Sequence, residues 1–188
     1  MDVKASCHCG GVQFLVAWPS EASTQLSSPY PDLLLPYLPG SSKNEEDGKW
    51  WLRANGTRYF AGICACKSCR LASGNEVQTW AFIPKVNLRQ MNGDPIEFSM
   101  STLKQYSSSK GVYRNFCGTC GATVFWHNDE RPDLIDVSAG LLIAQSGVRA
   151  EELLEWATER VSFQEEAQNK ALIATLNEGL RKWSGREI

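Results

Sequence analysis

Cys117-Gly118-Thr119-Cys120-Gly121 contains two cysteines that are separated by two residues and followed by a glycine. Two thiolates at this spacing can bind one metal ion, while the small glycines let backbone N–H groups turn towards the sulfur atoms. A turn of this kind supplies two ligands, whereas a structural zinc ion takes four. We therefore expect another segment of the chain to supply the remaining two ligands.

Cys7-His8-Cys9-Gly10-Gly11, near the N-terminus, is a second pair of cysteines followed by glycine. Together, the two pairs match the ligand number of a closed tetrahedral zinc site made of Cys7, Cys9, Cys117 and Cys120. Such a site would join the N-terminus to a distant turn and contribute folding energy of about 10 kcal/mol or more. We predict that the fold depends on it.

Cys64-Ala65-Cys66-Lys67-Ser68-Cys69 contains the remaining three of the seven cysteines. Three protein ligands with an open fourth position are the ligand set of a catalytic zinc ion. Other interpretations are a second structural site completed by His127 or a carboxylate, and a cluster of reduced thiols without metal. An iron–sulfur cluster is a weaker alternative, because the spacing differs from that of ferredoxins.

The composition is that of an ordinary globular protein, with 43% hydrophobic and 21% charged residues in 188. This length fits one domain. The net charge of -2 gives no overall attraction to nucleic acid or to anionic membranes, and we expect neither as a partner. No apolar run reaches the ~20 residues of a membrane helix, and residues 1–7 lack an apolar signal core. We therefore expect a cytoplasmic protein whose thiols bind metal rather than form disulfides.

Short strands are predicted through most of the chain by apolar alternation and β-branched residues. They cover residues 11–17, 58–63, 78–84, 96–100, 111–116, 123–127 and 134–138. The C-terminal part has a helical period instead, which predicts a short helix at 151–157 and an amphipathic helix at 165–183 after a capping box of Ser162 and Glu165. The prediction is a mainly β domain, residues 1–145, with a helical extension, residues 146–188, packed on it.

Residues 18–57 interrupt this pattern and predict a surface insertion. Five prolines and a polar stretch at 41–49 break regular structure there. Its large apolar side chains, at 33–35 and at Trp50 and Trp51, need a surface on which to be buried. We expect part of the insertion to pack beside the opening of the Cys64–Cys66–Cys69 site and to narrow access to it. The alternative is a decoration without function.

The three cysteine segments resemble, in order and spacing, the glutathione-dependent formaldehyde-activating enzyme family, which also includes centromere protein V. The resembling stretches are 6–14, 64–70 and 115–122, and the resemblance runs from about residue 6 to residue 143. It implies a β-tent fold of small antiparallel sheets built around two zinc sites. It also implies that the site of Cys7, Cys9, Cys117 and Cys120 is structural, and that the site of Cys64, Cys66 and Cys69 is catalytic.

The name-giving activity of that family adds glutathione to formaldehyde and forms S-hydroxymethylglutathione, which implies a carbon–sulfur lyase. The C-terminal extension resembles that of larger fungal relatives. Two features differ from many relatives: Ala65 stands where a histidine often separates the first two catalytic cysteines, and the insertion is longer than in short bacterial members. The same fold also serves in non-catalytic proteins, so the alternative function is a zinc-stabilised protein-interaction module.

Zinc held by three thiolates carries one net negative charge, which makes it a soft and weak Lewis acid. We therefore expect a small-molecule thiol substrate, such as glutathione, or an aldehyde substrate, rather than hydrolysis of a peptide bond. Candidates for binding substrate carboxylates, unless they are solvated surface charges, are Lys67, Arg70, Lys85 and Arg114. Trp80 and Phe82, on the strand after the site, either line the pocket or belong to the core.

Overall fold

The computed structural model describes residues 1–31 and 43–185, and these residues form two β-sheets and two α-helices. The helices are α1 (Lys67–Ser73) and α2 (Lys170–Trp183). The strands, in chain order, are β1 (Val3–Ser6), β2 (Gln13–Val16), β3 (Leu52–Arg53), β4 (Arg58–Cys64), β5 (Gln78–Pro84), β6 (Leu88–Arg89), β7 (Leu103–Ser109), β8 (Val112–Cys117), β9 (Thr123–Asn128), β10 (Leu134–Ser138), β11 (Leu142–Ile143) and β12 (Leu154–Trp156). The apolar run at 33–35 lies outside the described residues.

The larger sheet has the strand order β12-β4-β5-β10-β9-β8-β7, with β3 also paired to β4. The smaller sheet has the order β11-β1-β2-β6. Neighbouring strands are antiparallel except β12, which runs parallel to β4. The expectation of a mainly β fold of antiparallel sheets with a C-terminal amphipathic helix is confirmed. Neither helix of the part that the structure describes is long and apolar enough to cross a membrane.

The two sheets share one core, and a separate aromatic cluster covers the opposite face of the larger sheet. In the shared core, the rings of Phe14 and Phe125 are 5.0 Å apart between centroids. Along β5, Ala81 and Ile83 face this core, while Trp80 and Phe82 alternate with them and face the aromatic cluster. Since both faces of β5 are covered, its sequence is an almost continuous apolar run.

The end of the insertion belongs to this aromatic cluster. Trp51 is fully buried, and its Nε1–H donates to the carbonyl oxygen of Ser23 at 3.0 Å. The ring of Trp50 packs edge-on against Phe82, with 5.0 Å between the centroids. The predicted packing of the insertion on the sheet is therefore confirmed at these two tryptophans.

Six of the predicted strands are present as β2, β4, β5, β8, β9 and β10, but the strand predicted at 96–100 is wrong. Pro95 makes an isolated bridge to Arg89, and no ladder continues from it because the N–H of Leu88 donates to the carbonyl of Lys85 instead of to the segment after Pro95. Ile96 is buried in the shared core from this irregular segment. Strand β7 was not predicted, because most of its side chains are polar and exposed.

The C-terminal part differs from the prediction in two places. Residues 151–157, predicted as a helix, contain β12, which pairs with the edge of β4. That edge offers unpaired backbone groups, and their hydrogen bonds outweigh the local helical period. Helix α2 begins after Asn169, whose side chain accepts the N–H of Leu172 at 3.0 Å, so the predicted cap at Ser162 is wrong. The division of the chain at residue 145 stays a prediction.

Replacing Trp51 with alanine should lower the free energy of unfolding by about 3–5 kcal/mol, because it removes a fully buried ring and leaves a cavity. Urea denaturation followed by circular dichroism measures the change. Trp183→Ala is the matched control, since that ring is 39% exposed and its loss should cost much less. Equal costs for the two variants would contradict the packing described for the insertion.

Candidate active site

Cys7, Cys9, Cys117 and Cys120 form the first cluster, with four Sγ atoms within 4.8 Å of one another. The Sγ atom of Cys9 lies 3.6 Å from that of Cys7 and 3.5 Å from that of Cys117. A tetrahedral zinc ion with bonds of about 2.3 Å to sulfur separates its ligands by about 3.8 Å. The four thiols therefore fit one tetrahedral ion.

Two similar turns present these thiols. The N–H of Gly10 donates to the carbonyl of Cys7 at 3.1 Å, and the N–H of Gly121 donates to that of Cys117 at 2.9 Å. Both glycines have positive φ angles, 75° and 74°, which residues with a side chain rarely adopt. The first turn connects β1 to β2 and the second connects β8 to β9, so the first cluster joins the small sheet to the large one.

Hydrogen bonds to sulfur favour the thiolate form of Cys117 in the first cluster. The hydroxyl of Thr102 lies 3.3 Å from the Sγ atom of Cys117, and this contact, with backbone N–H groups, lowers the pKa of that thiol to about 5. The backbone N–H of Val12 donates to the Sγ atom of Cys7 at 3.3 Å. The thiolate is the form that binds metal.

Cys64, Cys66 and Cys69 form the second cluster, and their Sγ atoms also lie within 4.8 Å of one another. Cys64 is the last residue of β4, while Cys66 caps α1 by accepting the N–H of Cys69 at 3.3 Å. No histidine, aspartate or glutamate of residues 1–31 and 43–185 adds a fourth ligand atom. His127 is instead stacked on Phe98, with 4.6 Å between ring centroids.

Cys69 is the most strongly polarised thiol of the second cluster. Hydrogen bonds from Cys64 and Cys66, the charge of Arg114 and the N–H of Trp80 lower the pKa of Cys69 to about 2. The Nε1 atom of Trp80 lies 3.4 Å from the sulfur, and the Nη2 atom of Arg114 lies 3.7 Å from it. Cys69 therefore carries negative charge before its two neighbours do.

A cavity of about 390 Å³ adjoins the second cluster, and all three cysteines line it. Its aromatic wall consists of Tyr30, Trp50, Trp80, Trp126 and Phe163. Its polar wall includes Ser68, Arg114, Asn128, Arg131 and Asp136. Mostly apolar cavities with a few polar groups are typical of small-molecule sites.

The structure separates the predicted candidates into those that line the cavity and those that do not. Of the four basic candidates, Arg114 lines it, whereas Lys85 lies over the ring of Phe98 at 5.3 Å. Lys67 and Arg70, on α1, are not among the lining residues. Trp80 lines the cavity, and Phe82 packs behind it in the aromatic cluster on that face of the larger sheet.

The polar wall contains a buried ion pair that was not predicted from the sequence. The Nη2 atom of Arg131 lies 2.6 Å from the Oδ1 atom of Asp136, and both side chains are almost fully buried. Burial raises the pKa of Asp136 to about 6, although the charge of Arg131 lowers it. A carboxylate inside the apolar strand 134–138 was the available signal, because such a charge is buried only with a partner.

The C-terminal segment supports the loop that carries the second cluster. The N–H of Ala65 donates to the carbonyl of Ser162 at 2.9 Å, and the N–H of Ser162 donates to the carbonyl of Ile63 at 2.8 Å. The N–H of Lys67 donates to the Oε2 atom of Glu166 at 2.9 Å. This support was not predicted, because it joins residues about a hundred positions apart in the chain.

A family model described as "Glutathione-dependent formaldehyde-activating enzyme" matches residues 48–158. A crystal structure of a Rhodobacter sphaeroides protein is 18% identical, with a TM-score of 0.45, and covers 82% of this chain and 99% of that chain. Comparison with curated proteins gives no significant match. Because the family model covers more than half of the chain, the chain belongs to the glutathione-dependent formaldehyde-activating enzyme family.

Proposed function

We propose that the chain is a zinc-dependent enzyme that makes or breaks a carbon–sulfur bond between a thiol and an aldehyde. The reaction of glutathione with formaldehyde is the type case. The observation that carries this proposal is a cluster of three cysteines that borders a cavity and has no fourth ligand among the described residues. Membership of the family supports the same chemistry.

Zinc fits both clusters because all seven candidate ligands are thiols, and tetrahedral thiolate sites are typical of zinc. We assign the first cluster to a structural ion and the second to a catalytic ion. When bound to three thiolates, zinc supplies a soft Lewis acid with one position open to a thiolate or a carbonyl oxygen.

The residues around the second cluster suit the rest of the reaction. Trp80 and Arg114 stabilise the negative charge on Cys69 through their N–H groups. The aromatic wall makes most of the cavity lining apolar, and an apolar surrounding strengthens these electrostatic interactions. The cavity thus provides a mostly apolar site in which a thiol and an aldehyde can be held together.

Asp136 is the residue that we assign to proton transfer. Arg131 holds its Oδ1 atom, and no described residue donates to its other oxygen, while the side chain lines the cavity. In adduct formation, the carboxylate accepts the thiol proton as sulfur attacks the aldehyde carbon, and it returns the proton to the oxygen of the new hydroxymethyl group. The reverse sequence cleaves the adduct.

The alternative of a non-catalytic interaction module requires a second metal site closed by protein ligands. In the described part of the chain the three thiols instead border a cavity. We therefore favour the enzyme.

Cys66→Ala should fold nearly normally, bind one zinc ion per chain where the natural chain binds two, and lose the activity. The three ligands of the second cluster come from one short stretch of the chain, so the loss of this metal site affects the fold only locally. Metal analysis and exchange spectroscopy of labelled formaldehyde with glutathione measure the two effects. A natural chain that binds two zinc ions but accelerates adduct formation no more than Cys66→Ala does would contradict the proposal.

Cys117→Ser should give insoluble or unfolded protein, because the first cluster joins the two sheets and metal binding there is part of the folding energy. Thermal unfolding compared directly with Cys66→Ala separates the two roles. The assignment fails if Cys117→Ser is soluble with unchanged stability, or if Cys66→Ala unfolds just as readily.

Asp136→Asn should reduce the rate by about a hundredfold while thiol binding persists, because an amide cannot accept the proton. In the natural chain, the rate should rise as the pH passes through about 6, because burial raises the pKa of the Asp136 carboxyl group to about 6 although Arg131 lowers it in part. The variant should lack this rise. An unchanged pH profile in Asp136→Asn would exclude the proposed proton transfer.

A further inference from the structure

Arg114 is a buried cation whose hydrogen bonds are incomplete. Its side chain is 7% exposed, and its Nη2 atom donates to the Oγ atom of Ser68 at 2.8 Å. Its Nε and Nη1 atoms are buried and have no hydrogen-bond partner in residues 1–31 and 43–185. Because unpaired buried donors cost free energy, the site calls for an acceptor that the described chain does not supply.

Apart from the cysteine cluster, the other charged side chains on the cavity wall are already paired with each other. Arg131 lies 2.6 Å from Asp136, which leaves that pair without net charge, although the Nη1 atom of Arg131 is also buried without a hydrogen-bond partner among the described residues. Arg114 is the remaining cation among the described lining residues, and its nearest anionic partner is the Cys69 sulfur at 3.7 Å. The wall therefore favours a ligand with a single carboxylate, held close to the sulfur cluster.

The remainder of the cavity favours an apolar ligand body. Five aromatic residues line it, contributed by the insertion, by β5 and β9 and by the C-terminal segment. Glutathione carries two carboxylates and one ammonium group along a polar tripeptide. Among the described lining residues, Arg114 is the guanidinium without a carboxylate partner. The lining carboxylate that could bind an ammonium group, Asp136, is already paired with Arg131.

We propose that the cavity takes a thiol with an apolar, ring-bearing body and one carboxylate close to the sulfur atom, and that Arg114 binds this carboxylate. The thiol part of this inference rests on the proposed function. The carboxylate and the apolar body follow from the cavity wall itself. Arg114 then sets specificity, since it accepts this class of thiol in preference to neutral thiols and to glutathione.

A matched set of thiols tests each part of the proposal by calorimetric titration of the zinc-loaded protein, without any need for turnover. α-Benzylmercaptoacetate, which is the free thiol 2-mercapto-3-phenylpropanoate, carries both the ring and the carboxylate. Phenethyl thiol lacks the carboxylate, and mercaptoacetate lacks the ring. We expect α-benzylmercaptoacetate to bind at least about tenfold more tightly than either truncated thiol and than glutathione. Glutathione or phenethyl thiol binding as tightly would overturn the proposal, whatever any variant does.

Arg114→Gln should weaken the binding of α-benzylmercaptoacetate by about tenfold more than it weakens the binding of phenethyl thiol, because phenethyl thiol loses only the support that Arg114 gives to Cys69. Arg89→Gln is the control for loss of charge, because Arg89 is exposed on the small sheet. An equal loss for both thiols in Arg114→Gln would mean that Arg114 serves the cysteine thiolates alone, and would overturn the proposal. If no thiol binds the natural protein, the proposed function fails as well, whereas a preference for glutathione leaves that function intact.

Discussion

Four cysteine sulfur atoms connect the small sheet to the large one. They come from two turns 108 residues apart at Cys9 and Cys117, and each turn lies between two strands. Four thiolates at these distances repel one another strongly, and a bound cation converts that repulsion into attraction. The small sheet has strands of two to four residues, too short to be stable alone, so its position depends on this junction and on the shared core.

The second cluster uses the same residue type for a different purpose. Its ligands come from one loop and the first turn of α1, so they tie together little of the chain. What distinguishes it is its surroundings: Trp80 and Arg114 contact the Cys69 sulfur, and the three thiols border a cavity with no fourth ligand atom among the residues that the structure describes. The support of this loop extends beyond the family match, which ends at residue 158, to Ser162 and Glu166.

Features encoded by local spacing were predicted from the sequence, and features made by distant contacts were not. The three cysteine groups and strands such as β5 and β10 follow from short patterns of residues. Thr102 beside Cys117, the pairing of β12 with β4 and the Arg131–Asp136 pair depend on how remote segments meet. Arg114 was one of four basic candidates, and only its position on the cavity wall separates it from the others.

We propose that one metal site is closed by four thiolates and that the other keeps a position open. X-ray absorption at the zinc edge tests it directly, because sulfur and oxygen ligands scatter differently and lie at different distances from zinc. We expect about three and a half sulfur ligands per zinc ion in the free protein, rising to about four when mercaptoethanol is added. Four sulfur ligands per zinc ion before the thiol is added, or no change on its addition, would contradict an open position at the second metal site.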